Sequence, residues 1–194
     1  GVTFNIHHCC NSAGTLELPD FHREMIRPGI IQYGYDASKE VLVTGTKIKP
    51  VMSLRCCITH LKTIYEGDCV GYGRHFTAKG PTKIATLPIG YADGYNRALS
   101  SKIDVIVHGV RAHQVGNICM DQCMIDVSHI PDVKVGDEVV LFGEQGSECV
   151  SADEIADTCH TIIHEITCNI NRRVPRVYVQ NGKIVQRLEY LTQS

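Results

Sequence analysis

The chain has 194 residues, 43% of them hydrophobic and 21% charged, and a formal net charge of -2. A chain of this size supports one full core, or one core and a fragment of another. The near-neutral balance gives no reason to expect nucleic acid or an anionic membrane surface as a partner. No apolar run approaches the roughly 20 residues that span a bilayer.

The chain opens at Gly1 without an initiator Met and without a basic-then-apolar leader. A processed or excised piece of a cytoplasmic protein is therefore expected, with membrane attachment only through upstream sequence. Ten cysteines raise the question of a disulfide framework. Cys9-Cys10 and Cys56-Cys57 are vicinal, however, and the other six show no CxxC. Reduced thiols acting as small hydrophobes are the favoured reading.

Residues 1–36 differ in pattern from the rest of the chain. Val2-Thr3-Phe4-Asn5-Ile6-His7 alternates weakly, as a strand does. The polar turn Asn11-Ser12-Ala13-Gly14-Thr15 leads into a short helical link, and Ile26-Arg27-Pro28-Gly29-Ile30-Ile31-Gln32-Tyr33-Gly34 reads as a second strand and turn. Two strands and one link cannot close a core. The region is expected to be the last part of a larger domain, for which the end of a (β/α)8 barrel is the natural candidate. Residues 37–50, with Ser38, Thr44, Gly45, Thr46 and Pro50, read as a polar linker with turn chemistry.

Residues 51–194 are β-rich. The stretch 53–65 carries Leu54, Ile58, Leu61 and Ile64 among polar residues. Glu66-Gly67-Asp68 and Val135-Gly136-Asp137 are turns that each deliver a short strand, 69–72 and 138–142. Residues 103–107 and 123–127 are strand-like by branched content and alternation. Ser151 before Ala152-Asp153-Glu154 reads as an N-cap with an acidic first turn. Ile155, Ala156, Cys159, Ile162 and Ile163 then hold helical spacing through His164. Asn181-Gly182, between two branched runs, is a strong hairpin turn. The expected fold is mainly β: a C-terminal barrel-like β domain with one helix, preceded by the last strands of a (β/α)8 barrel.

Three residue sets carry candidate chemistry. The segment Leu87-Pro88-Ile89-Gly90-Tyr91-Ala92-Asp93-Gly94-Tyr95 follows a strand and fixes Tyr91 between Pro88 and two glycines. A phenol on such a turn can project into a pocket, although an ordinary loop tyrosine is the plainer alternative. Asn11 and Ser12 stand where a helix N-terminus, with its free N–H groups and a hydroxyl, makes a phosphate site. A simple N-cap serine is the commoner explanation there, and Gly29 after Pro28 is either a turn glycine or a point of close approach to an anion. Last, Cys159, His160, His164 and Cys168 suggest zinc, because His160 and His164 are four apart on the expected helix. Ile162 and Ile163 argue for a packed face instead, and no metal is expected.

The segment around Tyr91, together with Gly116-Asn117-Ile118-Cys119-Met120-Asp121-Gln122, resembles the C-terminal domain of bacterial alanine racemase, a pyridoxal-phosphate (PLP) enzyme. His8-Cys9-Cys10-Asn11-Ser12-Ala13 and Met25-Ile26-Arg27-Pro28-Gly29-Ile30 resemble the last two barrel strands of that family. The resemblance runs from residue 8 to about residue 183 in the family's order. It implies that Tyr91 is one of two catalytic bases and that Met120 helps to complete the substrate pocket. It also implies that Ser12 and the backbone of Gly29 and Ile30 hold the PLP phosphate, beside Asn11. Arg27 would face the pyridine nitrogen, with His8 supporting it.

A phenol is mostly protonated at neutral pH, so such a base needs help from a cation or a histidine. The resemblance places that helper, and the Schiff-base lysine that acts as second base, in the N-terminal barrel half, and none of the lysines here sits in a matching barrel motif. The implied assembly is a head-to-tail homodimer, with the tyrosine serving its partner's site. The implied reaction is interconversion of L- and D-alanine for peptidoglycan, on a small amino-acid substrate, by a chain inactive without its barrel half.

Two departures bear on substrate choice. Arg172 stands where the family often has a tyrosine before Arg-Val-Pro-Arg, and Asn117 stands where many members have arginine. A serine racemase of the same scaffold, of the vancomycin-resistance type, is therefore the first alternative. A non-catalytic dimerisation or binding module is the second.

Overall fold

The computed structural model describes residues 2–37 and 48–191. The chain divides into two compact units, Gly1–Met52 and Ser53–Ser194. The polar linker expected at 37–50 falls largely on Ser38, Thr44, Gly45 and Thr46, which lie outside the described residues.

Among its described residues the first unit has one helix, α1 (Ser12–Glu17), and two 3-10 turns, Pro19–Phe21 and Ile30–Tyr33. Asn11 caps α1, its side chain accepting from the Gly14 N–H at 3.0 Å. The strands expected within residues 2–7 and 26–34 do not form among the described residues. What survives of sheet pairing is the bond from the Arg27 N–H to the Cys10 carbonyl, at 2.8 Å. A strand is stabilised by a continuous ladder to its neighbours, and among its described residues this unit supplies isolated backbone bonds instead, that one and the bond from the Val51 N–H to the Tyr33 carbonyl at 3.1 Å.

The described residues of the second unit form twelve strands. They are β1 (Leu54–Cys57), β2 (His60–Ile64), β3 (Cys69–Val70), β4 (Phe76–Thr77), β5 (Thr82–Leu87), β6 (Asp104–Val107), β7 (Val110–Val115), β8 (Cys123–Asp126), β9 (Glu138–Gln145), β10 (Glu148–Val150), β11 (Arg176–Gln180) and β12 (Lys183–Leu188). The main sheet runs in the order β1-β9-β6-β7-β8-β5-β2, with β10 added on β9. Its outermost strands, β1 and β2, are separated in sequence by only Ile58 and Thr59. The Ile58 N–H bonds to the Asp137 carbonyl beside β9, and the Thr59 N–H bonds to the Thr86 carbonyl on β5. A sheet whose two edges are joined by two residues must curl until those edges meet, which makes this unit barrel-like. The fold is mainly β, as expected, and β11 and β12 form the separate hairpin turned by Asn181-Gly182.

Strand β9 reads as a continuous apolar run, and Val139, Val140, Leu141 and Phe142 are all buried. Ser151 caps the following helix α2 (Ala152–Thr158) by accepting from the Glu154 N–H. The single helix expected through His164 is in fact two. Helix α2 stops at Thr158, and α3 (Ile163–Asn169) starts afresh. His160 adopts φ 55 and the Thr161 N–H returns to the Ala156 carbonyl at 2.9 Å. That is a Schellman-type stop, ordinarily made by glycine. Here histidine makes it, so the sequence carries no stop signal. The break also removes the one-face arrangement of His160 and His164 on which the zinc pattern rested.

Two buried polar side chains differ in how they are satisfied. Gln114 donates to the Val115 and Gly116 carbonyls and accepts from the Ser101 N–H, which fixes where the 116–122 loop leaves β7. Tyr95 is fully buried and its hydroxyl has no hydrogen-bond partner among the described residues. An unmade hydrogen bond on a buried hydroxyl costs about 1–3 kcal/mol. Tyr95→Phe is therefore expected to raise stability by about 1 kcal/mol in denaturant melts. A loss of stability would show that the hydroxyl is satisfied in solution.

Candidate active site

In the second unit, the end of β5 and the loop after β7 are bound to each other. The Tyr91 N–H bonds to the Cys119 carbonyl and the Ala92 N–H to the Met120 carbonyl, each at 3.0 Å. Gly90 is where the two backbones meet. A Cβ there would lie 2.2 Å from the Cys119 oxygen and 2.4 Å from that of Met120. Tyr91 begins the short 3-10 turn Tyr91–Asp93, and the buried Asp93 carboxylate closes it by accepting from the Gly90 N–H at 2.8 Å.

Arg173 ties a third segment to this pair. Its Nε donates to Asp93 at 2.6 Å, and its Nη2 donates to Asp121. The Asn171 N–H also donates to the Asp93 carbonyl. Hydrogen bonds to Asp93 first, and then to Asp121, hold the guanidinium above its ordinary pKa. One arginine thus joins the Tyr91 turn, the Met120 loop and the chain before β11.

These walls enclose an open cleft of about 780 Å³, lined by Tyr72, Tyr91, Arg97, Asn117, Met120 and Asp121 among others. Tyr91 and Met120, singled out from the sequence, share it. Tyr72 and Arg97 were missed. Tyr72 is 77% exposed against 43% for Tyr91. It follows Gly71 (φ 73) and precedes Gly73 (φ 78) and Arg74 (φ 53). Positive φ is open to the two glycines, so Arg74 is the one residue of this turn whose left-handed backbone carries a cost. The Asn117 amide holds this turn by donating to the Tyr72 carbonyl at 2.8 Å. A tyrosine between two glycines after a strand is the same cue that flagged Tyr91. It was lost here because residues 69–72 read as one strand, whereas β3 ends at Val70.

The first unit assembles the other candidate residues. The Gly29 N–H donates to the Ser12 hydroxyl at 2.9 Å. Ser12 and Ile30 are buried. Because Ser12 accepts from Gly29, its own proton is left to donate to an oxyanion. Arg27 is anchored twice, its backbone N–H to the Cys10 carbonyl and its Nη2 to the Cys9 carbonyl at 3.1 Å. The rest of its guanidinium is exposed. Asn11 is occupied with the helix cap. His8 is exposed, and its side chain has no hydrogen-bond partner among the described residues. Buried hydroxyl, glycine backbone and nearby guanidinium together fit a phosphate-bearing anion.

Residues 51–178 match the family model for the alanine racemase C-terminal domain, and residues 1–37 match the one for the alanine racemase N-terminal domain. Over 190 residues the chain is 48% identical to alanine racemase 1 of Clostridium acetobutylicum, covering 98% of this chain and 49% of that protein. It is similar to a solved alanine racemase from Bacillus anthracis with bound L-Ala-P, with a TM-score of 0.92 and 39% identity over 98% of this chain and 49% of the other. It is also similar to one from Bartonella henselae with covalently bound pyridoxal phosphate, with a TM-score of 0.79 and 32% identity over 89% and 46% of the two chains. The chain spans about half the length of the curated relatives it matches.

Proposed function

Since the chain belongs to the alanine racemase family, we propose that it is the C-terminal part of a PLP-dependent enzyme that interconverts L- and D-alanine in the cytoplasm for peptidoglycan. The observation that carries this reading is the cleft in which two phenols, Tyr72 and Tyr91, stand beside Met120 on walls locked by Arg173. Racemisation requires proton transfer at both faces of Cα, and a phenol on such a wall is placed to serve one face. Tyr91 is the base that the resemblance implies. The proton transfer is accordingly given to Tyr91, and Tyr72, which lines the same cleft, is given a positioning role beside it.

In this proposal Ser12 and the backbone of Gly29 and Ile30 hold the cofactor phosphate, Asn11 shapes the helix end there, and His8 supports Arg27 at the ring nitrogen. Bound PLP would supply an electron sink for the charge that develops at Cα. Arg27 would keep that sink weak, because a permanent guanidinium disfavours a second positive charge on the adjacent nitrogen. A weak sink suits proton exchange and discourages decarboxylation and elimination. Alanine is preferred to serine as the substrate because the relatives over nearly the whole chain are alanine racemases. A binding module without catalysis is disfavoured because the cleft and the Ser12–Gly29 pair are both assembled.

The second base and the Schiff-base lysine are assigned to the barrel half that precedes this stretch in the relatives, and Tyr72, Tyr91 and Met120 to the site of a second copy in a head-to-tail dimer. The 194-residue chain alone is accordingly expected to show no racemisation. Joined to the barrel half, it should gain both visible cofactor absorbance and turnover of alanine. Turnover by the chain alone would overturn the division of labour, and absorbance without turnover of alanine would overturn the assigned reaction.

A further inference from the structure

Cys9 and Cys10 are neighbours in sequence, yet their sulfurs lie on the same side of the backbone, 4.0 Å apart. Both thiols donate to one acceptor, the Phe21 carbonyl, at 3.5 Å from Cys9 and 3.4 Å from Cys10. Successive side chains of an extended segment ordinarily point to opposite faces. The shared acceptor turns this pair together. Cys56-Cys57 shows the ordinary case. It lies in β1, where Cys57 is exposed and the Cys56 thiol is pushed up to about 12 by burial. One chain therefore holds two Cys-Cys dipeptides with opposite geometry.

Two convergent thiols, one exposed and one buried at its base, make a bidentate soft donor. A disulfide would need the sulfurs about 2.0 Å apart, so the pair would have to close by half its present separation. A tetrahedral zinc ion with bonds of about 2.3 Å would hold two sulfurs roughly 3.8 Å apart. Zinc also requires further ligands, and among the described residues no group of three or more His, Cys, Asp or Glu is placed to hold a metal ion. A trivalent arsenic centre carrying one organic substituent needs two sulfurs and nothing more.

We propose that Cys9-Cys10 is a chelation site for monosubstituted trivalent arsenicals, and that Cys56-Cys57 is not. In the reaction two S–H bonds break and two As–S bonds form. The oxide oxygen of the arsenical leaves with the two protons as water, and arsenic stays trivalent, so no oxidant is required. The adduct takes both thiol hydrogens away from the Phe21 carbonyl. Its strain falls on the two residues whose carbonyls anchor Arg27.

Phenylarsine oxide titrated into the full 194-residue chain tests this. The expected product is one adduct per chain, heavier by one arsenical less one water, with two of the ten thiols lost to colorimetric counting. A small dithiol should reverse it where the same concentration of a monothiol does not. Cys9→Ser, a change at an exposed position, should weaken binding at least about 100-fold by removing the chelate. Cys57→Ser should leave it unchanged. Absence of an adduct, two adducts per chain, persistence in Cys9→Ser or loss in Cys57→Ser would each overturn the proposal.

Discussion

Tyr91→Phe in the full-length enzyme is expected to lower kcat by about 10²–10⁴-fold, the usual contribution of a positioned acid-base group, while the cofactor absorbance stays in place. Tyr72→Phe, by contrast, is expected to cost about tenfold, mainly in KM, as loss of a substrate-positioning contact does. Both phenols line one cleft, so proximity alone does not separate them. Their supports do. Tyr91 stands on a turn bonded to the Met120 loop through two N–H groups and closed by the buried Asp93 that Arg173 holds, so a rigid wall places its phenol. Tyr72 is the more exposed, on a turn held by the Asn117 amide. Steady-state rates in both directions on the two variants decide the matter. A collapse of kcat in Tyr72→Phe with Tyr91→Phe near wild type would move the base to Tyr72.

Gly90→Ala is expected to destabilise the second unit by about 3 kcal/mol or more, at the upper end of what overpacking costs. The reason is steric, since φ at Gly90 is -151, which alanine adopts freely. The added Cβ would lie 2.2 and 2.4 Å from the carbonyl oxygens of Cys119 and Met120. Those oxygens are backbone, bonded to the Tyr91 and Ala92 N–H groups, and they cannot move without breaking both bonds. Denaturant melts should show the loss, and whatever folds should carry a disordered Met120 loop and little activity. A Gly90→Ala protein with the parent midpoint would mean that the two loops part at no cost.

Much of the β architecture was legible because its causes are local. Branched residues at 103–107 and 123–127 mark β6 and β8. Asn181-Gly182 turns the β11–β12 hairpin, and Ser151 caps α2. Failures arose where the cause was distant or the usual residue was absent. The stop after Thr158 uses His160 in place of glycine, so helical spacing ran on to His164 unbroken. The Tyr72 turn was absorbed into a strand. The two strands expected within residues 1–36 lacked neighbours to pair with. Arg173 carried no local signal at all, because its partners Asp93 and Asp121 lie 80 and 52 residues away.

By itself the sequence determined the family, the barrel-like β class and the residues Ser12, Arg27, Gly29, Tyr91 and Met120 as candidates, since each stands in a contiguous motif. Only the tertiary structure decided that the edges of the sheet meet at Ile58 and Thr59, that Tyr72 joins Tyr91 in one cleft, and that Arg173 locks its walls. It also distinguished Cys9-Cys10, with its sulfurs together, from Cys56-Cys57, whose side chains alternate along a strand. The physical reason is the same in each case. Local order follows from the torsional and capping preferences of neighbouring residues, whereas closure, convergence and charge pairing depend on contacts made across the whole chain.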